Sequence, residues 1–214
     1  MPIDNFMKML LQMLEASAVT LELFALTLLF SLPLGLLVAF GRMSKRWYIQ
    51  WPVRFYLLIM RGTPLILQLV FFYFGLNALF PINRFVAAVV AFALNYAAYF
   101  AEIYRGGIEA IPDGQREAAQ VLGFTRAQTF GHILLPQVIK NILPAMGNEF
   151  MVLVKDTALA QAIGVMELFR LAFNITSREF TILPIFVAGL FYLIMNALVS
   201  KGFSIAEKKM GYYR

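Results

Sequence analysis

The sequence predicts an all-α integral membrane protein with five transmembrane helices, and three observations carry that reading. Hydrophobic residues fill 61% of the 214 positions and charged residues only 14%, whereas soluble domains carry about 25% charged residues. Several apolar runs reach the roughly 20 residues that a helix needs to cross a hydrocarbon core of about 30 Å. The basic residues gather in alternate connections between those runs, as they do in cytoplasmic loops. The net charge of +6 is therefore read as loop charge and not as a nucleic-acid surface. The absence of cysteine and the single histidine, His132, exclude a disulfide framework, a thiolate metal site and a histidine cluster.

The first span is Ser17–Gly41, with Glu22 as its only charge. It is too long for a removable signal peptide and lacks a small-residue cleavage site. The second runs from about Val53 to Phe80 and is interrupted by Arg61. The third spans Phe85 to Tyr104 and stays apolar until Glu102. The fourth, about Val138 to Gln161, is the least hydrophobic and contains Asn148, Glu149, Lys155 and Asp156. The fifth is Thr181–Ser200, flanked by Lys201.

Arg42, Lys45, Arg46 and Arg54 follow span one; Arg105, Arg116, Arg126 and Lys140 lie between spans three and four; Lys201, Lys208, Lys209 and Arg214 follow span five. The opposite side holds only Lys8, Arg84, Arg170 and Arg178. The N-terminus is therefore expected outside and the C-terminus in the cytoplasm. Trp47, Tyr48 and Trp51 fall where interfacial aromatics belong.

The longest cytoplasmic segment, about 106–137, is locally over-specified for a plain loop. Ile111-Pro112-Asp113-Gly114 is a turn signal in which Asp113 is placed to cap the next helix. Gln115 to Leu122 reads as a short helix stopped by Gly123. Thr125-Arg126-Ala127-Gln128 fits a capping box that opens a second short helix, ended by Leu135-Pro136. These signals describe a compact cytoplasmic knob.

The residues of that knob carry a resemblance. Glu117-Ala118-Ala119, three residues, Gly123, nine residues, then Ile133-Leu134-Leu135-Pro136 resembles the EAA loop of the membrane subunits of ATP-binding-cassette (ABC) importers, at every fixed position and at both spacings. Arg61-Gly62-Thr63-Pro64-Leu65, Tyr99 to Ile108, and Gly147-Asn148-Glu149-Phe150 continuing to Lys155-Asp156-Thr157-Ala158-Leu159 are similar to segments of permeases for polar amino acids. The similarity runs over roughly 17–205. The chain departs from the family where serine is common near Ala158, and where Glu15-Ala16-Ser17-Ala18 lacks a glycine before span one.

The resemblance implies a type I importer permease (MetI-like) fold and a single transmembrane domain over 1–214. Glu117, Ala118, Ala119 and Gly123 would form the coupling helix, seated in a groove of a separate ATPase. The chain has no phosphate loop of the form G-x-x-x-x-G-K-[ST], so no cofactor is expected in it, and ATP and Mg would be bound by a pair of partner ATPase subunits. Five helices are few to enclose an amino acid, which implies a second permease chain, identical or paralogous. The segment 157–180, with an apolar stripe at Leu168, Leu171, Ala172 and Ile175, is expected to be amphipathic and extracytoplasmic, near a solute-binding protein. The setting is the bacterial cytoplasmic membrane, and the work is transport by alternating access, not enzymatic catalysis.

Charges inside spans are functional candidates by default. A zwitterionic substrate needs a cation or donors for its carboxylate and acceptors for its ammonium, and Lys155 and Asp156 supply both. An interrupted helix there would also offer free backbone groups. Asn95, Tyr99 and Glu102, at i, i+4 and i+7, share one face of span three. The expected substrate-binding residues are Asn95, Tyr99, Glu102, Asn148, Glu149, Lys155, Asp156 and Thr157, in a cavity lined by spans three and four. Arg61 and Thr63 are expected to gate the path or hold a kink. Glu102 could equally pair with Arg105 or with Arg61. The alternative from another class is an ion-coupled secondary transporter without an ATPase.

Overall fold

The computed structural model describes residues 3–211, so Arg214 lies outside the described residues. Every regular element among them is helical. Nine α-helices follow in order: α1 (Ile3–Arg42), α2 (Trp47–Gly62), α3 (Leu65–Asn77), α4 (Arg84–Glu109), α5 (Asp113–Val121), α6 (Arg126–Gln128), α7 (Leu135–Asp156), α8 (Leu168–Glu179) and α9 (Leu183–Met210). A π-helical turn, Thr129–Leu134, joins α6 to α7, and a 3-10 turn, Thr157–Ile163, continues α7. Three helices are individually long and apolar enough to cross a membrane, α1 over Asn5–Arg42, α4 and α9. Counting two bent pairs as one span each gives five.

Three elements differ from the sequence expectation, each for a physical reason. α1 begins at Ile3 instead of Ser17 and holds 40 residues. At 1.5 Å per residue it is about 60 Å long, twice the hydrocarbon thickness, so its first turns project beyond the bilayer. There Met9 and Met13 are buried against Leu168, Ala172 and Ile175 of α8, which turns the stripe of the 157–180 segment inward onto α1 and α9.

The second expected span is two helices, α2 and α3, bent by 111°. Pro64 lacks an N–H and forces the residue before it out of the helical region. Thr63 accordingly adopts φ −122°, ψ 147°.

The third difference is at Leu135-Pro136, which does not end the helix. Residues 126–163 run on without a break. The ring of a mid-helix proline clashes with the carbonyl one turn earlier, and here the preceding turn widens into π register, with the Leu135 N–H donating to the Phe130 carbonyl.

The core lies between α1 and α4. α4 buries Ala87, Ala88, Ala91, Phe92, Tyr96, Ala97, Ala98, Phe100 and Ala101. Its small residues let the backbones approach closely, as helices in lipid require. A Cβ on Gly35 of α1 would lie 2.9 Å from the Cβ of Phe100 and 3.0 Å from the Ala97 carbonyl oxygen. Gly147 of α7 serves α9 in the same way, since a Cβ there would meet the Phe203 ring at 3.0 Å.

Candidate translocation site

The break between α2 and α3 is closed by two amides. Gln68, buried on α3, donates through Nε2 to the Met60 carbonyl at 3.0 Å, the Thr63 carbonyl at 3.2 Å and Thr63 Oγ1 at 2.8 Å. Asn95 of α4, 4% exposed, donates through Nδ2 to the same Met60 carbonyl and to Gln68 Oε1, both at 2.9 Å. Backbone groups freed at a broken helix cost several kcal/mol in lipid unless they are paired. Asn95 and Gln68 supply that pairing, so the Asn95 amide is committed to the hinge. Thr63 also caps the end of α2, donating from Oγ1 to the Ile59 carbonyl at 2.8 Å.

Further along α4, Glu102 is surrounded by arginine. Arg105 binds it at 2.7 Å, and Arg42 of α1 and Arg61 of α2 each approach to 3.7 Å. Both pairings considered from the sequence, with Arg105 and with Arg61, are present. The Arg61 guanidinium also lies 5.6 Å from the centre of the Tyr99 ring, a cation–π contact. Tyr99 is half-buried and lines a cavity of about 600 Å³ with Arg42, Arg54, Arg61 and Glu102.

On the facing helix, Glu149 and Asp156 stand seven residues apart on one face of α7, both half-buried. The Tyr96 hydroxyl donates to Asp156 Oδ2 at 2.8 Å, which fixes one carboxylate oxygen. Lys155 and Asn148 are exposed. Among the described residues Glu149 and Lys155 have no hydrogen-bond or ion-pair partner; Asp156 and Arg61 are the charges that act on Glu149 at longer range. Thr157 is fully buried and donates to the Val154 carbonyl at 2.6 Å, so its hydroxyl closes the end of α7. The fold thus leaves Tyr99, Asn148, Glu149, Lys155 and Asp156 reachable, and spends Asn95, Thr157 and Glu102 on internal contacts.

Three participants escape sequence reasoning. Tyr96 is one of several aromatics on α4, with nothing in its spacing to mark it as the donor to Asp156. Gln68 sits in an apolar run after Pro64, where nothing in its spacing marks it as the partner of the Met60 and Thr63 carbonyls. Glu167, 0% exposed, caps α8 through both carboxylate oxygens, yet glutamate is not among the preferred capping residues.

The knob over 106–137 keeps its expected outline with two changes. α5 begins at Asp113 with Pro112 as its cap and no side-chain capping bond; Asp113 instead sits in the first turn, where its charge favours the helix dipole. Ala119 is 1% exposed and packs inward, so only Glu117 and Ala118 of the alanine motif face outward. Gly123 takes φ +79°, with the Phe124 N–H on the Ala119 carbonyl and the Gly123 N–H on the Gln120 carbonyl, a Schellman stop. The Thr125–Gln128 capping box is complete. Val121 and Leu122, 87% and 73% exposed, give the tip an uncovered apolar surface.

Comparison with known proteins follows the same lines. Residues 31–212 match the family described as "Binding-protein-dependent transport system inner membrane component". The chain is 39% identical over 200 residues to the arginine transport system permease protein ArtQ of Bacillus subtilis, covering 92% of this chain and 91% of that one. It is 36% identical over 202 residues to the glutamine transport system permease protein GlnP of Escherichia coli K12, covering 92% of each. A crystal structure of an amino acid ABC transporter with histidines superposes with a TM-score of 0.88 at 36% identity, over 98% of this chain and 99% of that one. The MetNI methionine ABC transporter, in an inward-facing form, shares the fold at 20% identity and a TM-score of 0.75, over 98% and 99%. The ion-coupled alternative falls away, and the chain belongs to the inner-membrane permease components of binding-protein-dependent ABC importers.

Proposed function

We propose that this permease carries polar amino acids, and that they pass between α4 and α7 over Tyr99, Asn148, Glu149, Lys155 and Asp156. The observation that carries this reading is the unlike pair Lys155–Asp156 at the junction of α7 and its 3-10 turn. Asp156 is held in place by Tyr96, while Lys155 has no partner among the described residues. Such a pair can take the carboxylate and the ammonium of one zwitterion. Of the two carboxylates that could select a basic side chain, Glu102 is already matched by three arginines and Glu149 is not. This favours a cationic amino acid, with Glu149 as the selecting group.

The basic residues after span one, between spans three and four and after span five support an orientation with the N-terminus outside and α5 in the cytoplasm. Glu117, Ala118, Val121 and Leu122 form the face that seats in the ATPase, and Gly123 sets its end. Arg61 and Thr63 hold the broken span against α4. Two such chains, a pair of ATPases that bind ATP and Mg, and an extracytoplasmic binding protein complete the transporter. The 157–180 segment lies on the side that meets the binding protein.

The test is uptake of radiolabelled L-arginine and L-glutamine by the reconstituted complex. Lys155→Ala and Asp156→Asn are expected to abolish uptake of both while the complex still assembles. Glu149→Gln is expected to reduce L-arginine uptake selectively. Normal uptake by the first two variants removes this site.

A further inference from the structure

Two charges of opposite sign line one cavity at the proposed outer end of the bundle without meeting each other. The cavity, about 630 Å³, is bounded by α1 at Val19 and Glu22, by Tyr73 of α3, by the start of α4 and by the Gly164–Met166 turn. Its charged members are Glu22 and Arg84. Among the described residues neither has an ion-pair partner.

Arg84 is nevertheless held in place. Its Nε donates to the Tyr73 hydroxyl at 3.3 Å. Asn83 caps α4 through Oδ1, which accepts from the Phe85 N–H at 2.8 Å, and so fixes the turn that carries Arg84. Beneath the guanidinium lies Gly164, whose φ is +80° and where an added Cβ would stand 2.8 Å from Arg84 Nη1. Any other residue there would meet both an unfavourable left-handed backbone and the guanidinium. The fold clears and braces a place for a cation and, among the described residues, pairs it with no anion.

We propose that this cavity receives the zwitterionic backbone of an α-amino acid, with Arg84 binding the carboxylate and Glu22 the ammonium. The inference rests on the substrate class and orientation proposed above. A guanidinium presents a planar fork of donors matched to a carboxylate. The volume lies within the roughly 300–1,000 Å³ range of small-molecule sites. Because the two charges are not paired with each other, a ligand bearing both complementary charges satisfies each without breaking an existing bond. The cavity lies beyond the 3-10 turn that follows Asp156, so it would hold substrate before the Lys155–Asp156 pair does.

The experiment uses the full complex in proteoliposomes, with ATPase pair and binding protein, and radiolabelled L-arginine and L-glutamine. Arg84→Gln and Glu22→Gln are each expected to lower uptake at sub-saturating substrate by about tenfold or more, with substrate-free ATPase activity and thermal stability unchanged. Arg84→Lys should retain part of the uptake. Where Arg84→Gln fails to assemble, Glu22→Gln, at an exposed position of α1, decides alone. Uptake within about twofold of the parent in both variants overturns this site while leaving the amino-acid reading standing. A loss in Arg84→Gln that excess binding protein restores, with Glu22→Gln normal, makes Arg84 a docking contact and also overturns it. Failure of the unmodified complex to take up either amino acid overturns the substrate class and this site together.

Discussion

The Tyr96 hydroxyl donates a 2.8 Å hydrogen bond to the Asp156 carboxylate, 60 residues away in sequence, and so ties the core of α4 to the last turn of α7. Tyr96 is 2% exposed and stacked on Phe92, which leaves its ring no freedom to follow a displaced partner. Tyr96→Phe keeps that packing and removes only the donor. A hydrogen bond to a charged group is worth about 1.5–3 kcal/mol, so the variant should lose several degrees of thermal stability. Uptake should fall further than stability does, because Asp156 loses its orientation. Asp156→Asn on the Tyr96→Phe background should add little, as expected of two residues in one interaction. Fully additive losses would separate Tyr96 from the site.

Asn95, also on α4, spans the α2–α3 break through two hydrogen bonds. Asn95→Leu is similar in volume but leaves Gln68 Oε1 without its donor, while the Met60 carbonyl keeps only Gln68 Nε2. A buried unsatisfied group costs about 1–3 kcal/mol. The expected result is a lower unfolding temperature of the detergent-solubilised complex, with the affinity for L-arginine unchanged in the fraction that assembles. Gln68→Leu should behave alike, and the double variant should be little worse than either single one. A selective loss of substrate affinity in Asn95→Leu would make Asn95 a substrate contact as well as a hinge residue.

These two residues show what the sequence could and could not convey. The five apolar runs, the glycine stop at Gly123 and the capping box at Thr125 were legible because each depends on local composition or fixed spacing. The break at Pro64 and the passage through Pro136 carried the same residue type with opposite outcomes. At Pro64 the amides of Gln68 and Asn95 stabilise an open bend, whereas at Pro136 a π turn absorbs the missing donor. That difference lies in tertiary partners and register, which no local pattern reports. Asn95, Tyr99 and Glu102 do share a face, yet the neighbours change along it: the α2–α3 hinge at Asn95, Arg61 at Tyr99, and Arg61 together with Arg42 and Arg105 at Glu102.

The knob offers a test of coupling that does not touch the transport path. Val121 and Leu122 are uncovered at the end of α5, so replacing either by aspartate leaves the fold of this chain intact. Burying an unpaired carboxylate against a partner costs several kcal/mol. Leu122→Asp should therefore fail to retain the ATPase subunits on purification. Gly123→Ala imposes about 1 kcal/mol of left-handed strain, a milder change, and should preserve assembly while weakening substrate stimulation of ATP hydrolysis. Glu117→Lys should uncouple hydrolysis from uptake or release the ATPase. Retention and full stimulation in all three would place the coupling surface elsewhere.

Glu167 joins the 157–180 segment to the bundle. One carboxylate oxygen accepts from the Phe169 N–H at 2.7 Å and from the Tyr192 hydroxyl at 2.9 Å, and the other from the Arg170 N–H at 2.7 Å. The adjacent Leu168 N–H donates to Thr20 of α1 at 3.2 Å. α8 is thus pinned at its first turn to both α1 and α9. Glu167→Gln is nearly isosteric but has one acceptor oxygen where two are used, so its amide nitrogen must face a donor. Loss of a helix cap costs about 0.5–2 kcal/mol, and an orphaned buried donor adds about 1–3 kcal/mol. Hydrogen exchange should then rise at the α8 amides and along the first turns of α1 before any change at α4. Uptake driven by the binding protein should decline with it, while substrate-free ATP hydrolysis holds. Unchanged exchange in Glu167→Gln would mean that packing of Met9 and Met13 on α8 suffices without the cap.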